Sequence, residues 1–113
     1  MNINLIVAEK LRLIEVEMKN LNLWSNTPPP EEAFASDLPF AVDTMAAHEW
    51  LQWVLLPKLY KLIEQHIDLP KAFAITPYFE EIYQEERESR YYQLLEYLRA
   101  LDEVFSQGNS TNA

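Results

Sequence analysis

The residues whose types and spacing could carry chemistry are few. His48-Glu49-x-x-Gln52 begins like a zinc-hydrolase helix, where two imidazoles one turn apart hold the metal and a glutamate acts as base. Position 52 carries Gln in place of the second His, and an amide is a poor zinc ligand. His66 and Asp68 add one imidazole and one carboxylate, too little for a metal site. With His 2 and Cys 0 in 113 residues, neither a tight transition-metal site nor a thiol nucleophile is expected. Asp43 and Glu49 are paired carboxylates around a helix start. The dipole there favours a bare carboxylate, whereas a general acid must hold its proton. N-capping by Asp43 or Thr44 is the simpler role, and Glu80 and Glu81 near a later helix start have the same reading. The one glycine, Gly108, rules out a Gly-rich phosphate cradle, and neither histidine lies near a serine elbow. The expectation is therefore no catalytic residue, no metal, no cofactor and no enzyme activity.

What remains is an aromatic concentration in Trp50, Trp53, Tyr60, Phe73, Tyr78 and Phe79. Such rings fill cores, and they also make interface hot spots. The best surface to be named is where the loop Leu38 to Phe40 would meet Tyr78 and Phe79. Asp43, Met45 and Glu49 complete the candidate partner-binding set. The net charge of −9 suits solubility or steering toward a basic protein. Its scattered lysines and arginines do not form the basic patch that nucleic acid or an anionic membrane would require.

The elements that must position these residues read as helices. Val7, Leu11, Ile14, Met18 and Leu21 recur at alternating spacings of four and three, which predicts one amphipathic helix over residues 3–24. Pro28-Pro29-Pro30 then predicts an extended polyproline-II arm, followed by one helical turn at Glu31 to Ala35. A central helix follows Asp43 and Thr44. From Trp50 to Ile63 its apolar residues lie all around the axis, the pattern of a helix enclosed by others. Pro57 inside it predicts a kink or a break. Asp68-Leu69-Pro70 is a second punctuation point. Thr76-Pro77 reads as an N-cap followed by proline at the first helical position, opening a short helix to about Gln84. Glu85 to Glu88 reads as a hinge. The last helix should run from about Ser89 to Ser106 with Tyr91, Leu94, Leu95, Leu98, Leu101 and Phe105 on one face, stopped by Gly108. The class is all-α: a small single-domain bundle of four main helices with an additional short turn over residues 1–106, then a disordered polar tail, 107–113. No apolar run approaches the ~20 residues of a bilayer span, and the early charges of the first residues do not suit a signal peptide. A cytoplasmic location is expected.

The string Pro39-Phe40-x-x-Asp43-Thr44-Met45, then Glu49-Trp50-Leu51-Gln52-Trp53-Val54 and Pro57, resembles the YqcC-like family. Leu69-Pro70, Ala74 and Pro77-Tyr78 fit its second half, so the resemblance covers nearly the whole chain. It implies a small all-helical bacterial protein of unknown function, with a gene neighbourhood beside a tRNA pseudouridine synthase of the type-C kind. It supplies no catalytic residues. The chain is too short for such a synthase and lacks the mixed sheet of that fold.

Two functions follow as expectations. The first is a non-enzymatic accessory protein that binds a protein partner, an RNA-modifying enzyme being the candidate. The second is a small-ligand-binding or catalytic domain with a pocket near Trp50, Trp53 and Tyr78.

Overall fold

Asn2 opens the first helix, α1 (Ile3–Asn20), by accepting the Asn4 N–H on its Oδ1 at 2.8 Å. The computed structural model describes residues 2–70, 73–83 and 89–110. Along α1, Val7, Leu11, Ile14 and Met18 are buried, with Leu21 just beyond its end, as the spacing requires. The helix stops because Asn22 turns left-handed (φ 61). Its N–H then reaches Lys19 O at 3.1 Å, and the Leu23 N–H reaches Met18 O at 2.8 Å, which is a Schellman motif. Asn is among the few residues that enter this region readily.

The second helix, α2, comprises Ala47–Trp50, a π-helical turn Leu51–Leu55 and a final α segment Leu56–Glu64. Pro57 accounts for that sequence of turns. It lacks an N–H, and its ring crowds the carbonyl one turn back. Widening the helix just before it, with the Leu56 N–H donating to Leu51 O, accommodates the ring without a break. The expected distortion is thus a π turn, and the apolar packing continues through Leu59. The helix is not enclosed on all sides, however. Leu51, Leu55, Leu56 and Leu59 are buried, Trp50, Trp53, Val54 and Tyr60 are half-buried, and Pro57, Lys58 and Lys61 are exposed. A stretch that is apolar all round gives no direction to its burial. The cap also differs from expectation. Ala46 is the N-cap residue, and Glu49 Oε1 accepts its N–H at 2.9 Å. Asp43 instead accepts a bond from Ser36 Oγ, and Thr44 Oγ1 donates to Ala33 O at 2.7 Å. Both tie down the preceding loop. At its far end α2 closes with a second Schellman motif, in which left-handed His66 (φ 58) and Ile67 donate to Ile63 O and Leu62 O at 3.2 and 2.9 Å. His66 is a chain-reversal residue.

The third helix, α3 (Thr76–Tyr83), starts where expected but is capped from elsewhere. Ile75 O accepts the first helical bonds, from Tyr78 and Phe79, so Ile75 and not Thr76 is the N-cap residue. The capping acceptor is Asp102 of the fourth helix: its carboxylate takes the Ile75 N–H at 2.9 Å and the Thr76 N–H at 2.8 Å. That helix, α4 (Tyr92–Ser110), follows a 3-10 turn at Ser89–Tyr91. It runs through Gly108, the stop expected from sequence, and ends at Ser110. The hinge expected over Glu85–Glu88 and the last three residues of the chain lie outside the described residues.

Helices α1 and α4 pack side by side, with α3 against α4 and the end of α2 against α1. Leu94, Leu98, Leu101 and Phe105 join the α1 stripe and Phe79 in one core. Arg90 Nη2 donates to Leu21 O at 2.7 Å and so ties the approach to α4 to the end of α1. Among the described residues there are four helices and no strand, and no helix is long and apolar enough to cross a membrane.

Candidate functional site

The segment between α1 and α2 carries the most unusual backbone among the described residues. A 3-10 turn at Glu31–Ala35 leads to a second at Pro39–Ala41. Within the latter, Phe40 (φ 59) and Ala41 (φ 47) are both left-handed. Two successive non-glycine residues there cost ~1–3 kcal/mol each. The geometry gained is specific: the Phe40 ring stacks on Tyr78 at 4.1 Å between centroids and meets Trp50 edge-on at 4.8 Å. Beneath the loop, Ala33, Ala41 and Met45 form a small second core against Trp50 and Val54. Above it, Phe34, Leu38 and Val42 remain 44%, 50% and 52% exposed.

The loop therefore does meet Tyr78, as expected from sequence, and Phe40 is the side chain that joins them. Leu38 and Asp43 are exposed, while Phe40, Glu49 and Tyr78 are half-buried. Met45 and Phe79 are buried, at 5% and 0% exposure, and lie beneath that surface. Phe34 and Val42 are the residues sequence reasoning missed. One signal for this segment was present in the chain: between Lys19 and Lys58 there is no Lys or Arg, yet Glu31, Glu32, Asp37, Asp43 and Glu49 all fall there. The face is consequently apolar and acidic at once.

A separate groove of about 440 Å³ lies between α1, α2 and the turn after α1. Trp24, Trp53, Leu56, Pro57 and Tyr60 give it apolar walls, and Glu15, Ser25, Asn26 and Gln52 give it polar ones. Gln52 is buried, and its amide clasps the Ser25 backbone, accepting its N–H at 2.9 Å and donating to its carbonyl at 2.7 Å. Of the residues expected around a pocket, Trp53 lines this groove, while Trp50 and Tyr78 do not. Asp43, His48 and Glu49 do not line it either, and each of the two carboxylates already holds a loop or helix start. Burial pushes the Tyr60 phenol above its ordinary range, with the Glu15 charge adding and Arg12 opposing. Burial likewise raises Tyr78, and raises Tyr83 to about 12, where Tyr91 and Tyr78 add to the effect. These phenols stay protonated at neutral pH, so none of them serves there as a base. Among the described residues no three of His, Asp and Glu come together in a way that would hold a metal.

Comparison with known proteins matches residues 6–104 to the DUF446 family model, described as tRNA pseudouridine synthase C. An uncharacterized protein of Haemophilus influenzae is 46% identical over 96 residues, covering 85% of this chain and 89% of that protein. The uncharacterized protein YqcC of Escherichia coli is 37% identical over 104 residues, covering 92% and 94%. A tRNA pseudouridine synthase C from Pectobacterium carotovorum subsp. carotovorum is 42% identical over 67 residues, which cover 59% of this chain but 18% of that protein. Among solved structures, the solution NMR structure of E. coli YqcC superposes with a TM-score of 0.81 at 34% identity, covering 94% of this chain and 90% of that one. With a family model spanning nearly its whole length and full-length relatives well above 30% identity, the chain belongs to the YqcC-like DUF446 family.

Proposed function

We propose that the chain is a non-enzymatic accessory protein that binds a tRNA pseudouridine synthase of the type-C kind through its apolar, acidic loop face. The observation that carries this reading is the third relative: a stretch similar to this chain occupies 18% of a protein named tRNA pseudouridine synthase C. Two modules that occur joined in one chain are good candidates to work together when they are made apart. The loop face supplies the chemistry. Phe34, Leu38 and Val42 are exposed anchors, and the surrounding carboxylates steer a basic protein while repelling bare RNA.

The test mixes the purified chain with the type-C synthase of the same bacterium and follows them by size exclusion. Co-elution is expected at low micromolar concentration, and Leu38→Glu should abolish it. Leu38 is half-exposed, so this substitution should leave the melting transition within about 0.5 kcal/mol of wild type. Separate elution at tens of micromolar, or equal co-elution of Leu38→Glu, would refute the proposal. Submicromolar binding of tRNA by the chain alone at physiological salt would refute it as well, by making RNA the partner.

A further inference from the structure

The groove beside α1 carries its own clue to what it binds. Lys19 Nζ lies 2.9 Å from Glu15 Oε2 and 5.2 Å from the centre of the Trp24 ring. The chain's own ammonium thus already combines a carboxylate with an aromatic face at the edge of the groove. That pair is weakly held: the two side chains are 51% and 30% exposed, and ion pairs of that kind contribute little. Further in stand Trp53 and Tyr60. The walls are preformed, because Gln52 fixes the Ser25 backbone from both sides.

We infer that this groove receives an arginine side chain of a partner protein, its guanidinium stacked on the indoles of Trp24 and Trp53 and paired with Glu15 in place of Lys19. Charge complementarity selects the occupant. Among the described residues Glu15 is the one charged side chain lining the groove, and the whole chain is at −9. A guanidinium is planar, weakly hydrated and forked, so it stacks on an aromatic face and bonds a carboxylate at the same time. A compact ammonium such as that of Lys19 does this less well and can be displaced. Arg12 weakens the field at Tyr60 but does not line the groove. This inference does not depend on the loop face, none of whose residues line the groove, and it stands whichever protein binds there.

The test uses Nα-acetyl-arginine amide as probe, with the uncharged Nα-acetyl-norleucine amide as control, and reads the indole N–H resonances of the full chain. The arginine probe should shift the Trp24 and Trp53 signals with saturation in the millimolar range. Glu15→Gln should weaken that binding by about three- to tenfold, and Lys19→Ala should tighten it by about threefold, as removal of a competing cation requires. Equal shifts with the norleucine control would overturn the inference using wild-type protein alone. So would unchanged affinity in Glu15→Gln, or the absence of any Trp24 or Trp53 shift at tens of millimolar arginine probe.

Discussion

Replacing Phe79, one of the largest fully buried side chains among the described residues, with Ala should cost the fold ~3–5 kcal/mol. The ring has no exposure and touches the aromatic side chains around it, with Tyr78 at 5.4 Å, Tyr83 at 6.2 Å and Trp50 at 6.5 Å between centroids. Truncation leaves a cavity where α3 meets the main core, and it also removes the support beneath Tyr78 and hence beneath Phe40. Total stability of a domain this size is only about 5–15 kcal/mol, so Phe79→Leu provides a milder step, at about 1–2 kcal/mol. Trp50 and Trp53 of α2 provide the comparison. Both are half-buried, and their Ala variants should fall below Phe79→Ala. Denaturant midpoints check the order; a midpoint for Phe79→Ala no lower than that for Trp50→Ala would contradict the placement of the core.

Asp102→Ala should be the second large loss, ~2–4 kcal/mol. Ile75 and Thr76 are buried, at 3% and 4% exposure, and their N–H groups find the Asp102 carboxylate across 26 or 27 residues of sequence. Removing the acceptor strands two buried donors, each at ~1–3 kcal/mol, and takes a negative charge from the N-terminus of α3. Asp102→Asn keeps one oxygen and should lose about half as much. Because α3 presents Tyr78 to Phe40, faster amide exchange in the loop should accompany the loss. Equal stability of Asp102→Ala and wild type would show that α3 is held by its packing alone.

How far each feature was legible depends on the range of the interaction that makes it. The stripes of α1 and α4 were readable because their 4-3 spacing fixes which side is buried. Both Schellman ends were partly readable at best, since Asn22 suits a left-handed position but His66 is not a residue that announces one. Pro57 predicted a distortion, while its form as a π turn depends on what the neighbouring backbone can accommodate. The cap of α3 was hidden because its acceptor lies on another helix. The loop was hidden for a different reason: neither Phe40 nor Ala41 is a residue that local preference would put at positive φ, so only the stacking of Phe40 on Tyr78 and its contact with Trp50 explain the turn. Of the expected residues, Leu38, Phe40, Asp43, Glu49 and Tyr78 consequently lie at or near the surface, while Met45 and Phe79 lie in the core. Trp24 never entered the sequence-based pocket, because a turn residue is brought beside Trp53 only by the Gln52–Ser25 clasp.

The docking role proposed for the loop is tested most directly by amide hydrogen exchange of the chain with and without the type-C synthase. A synthase docked on the loop should bring new protection over residues 34–43 and none in the buried α1–α4 pair beyond what that pair has alone. Protection that leaves residues 34–43 unchanged, or no change anywhere at saturating synthase, would contradict it.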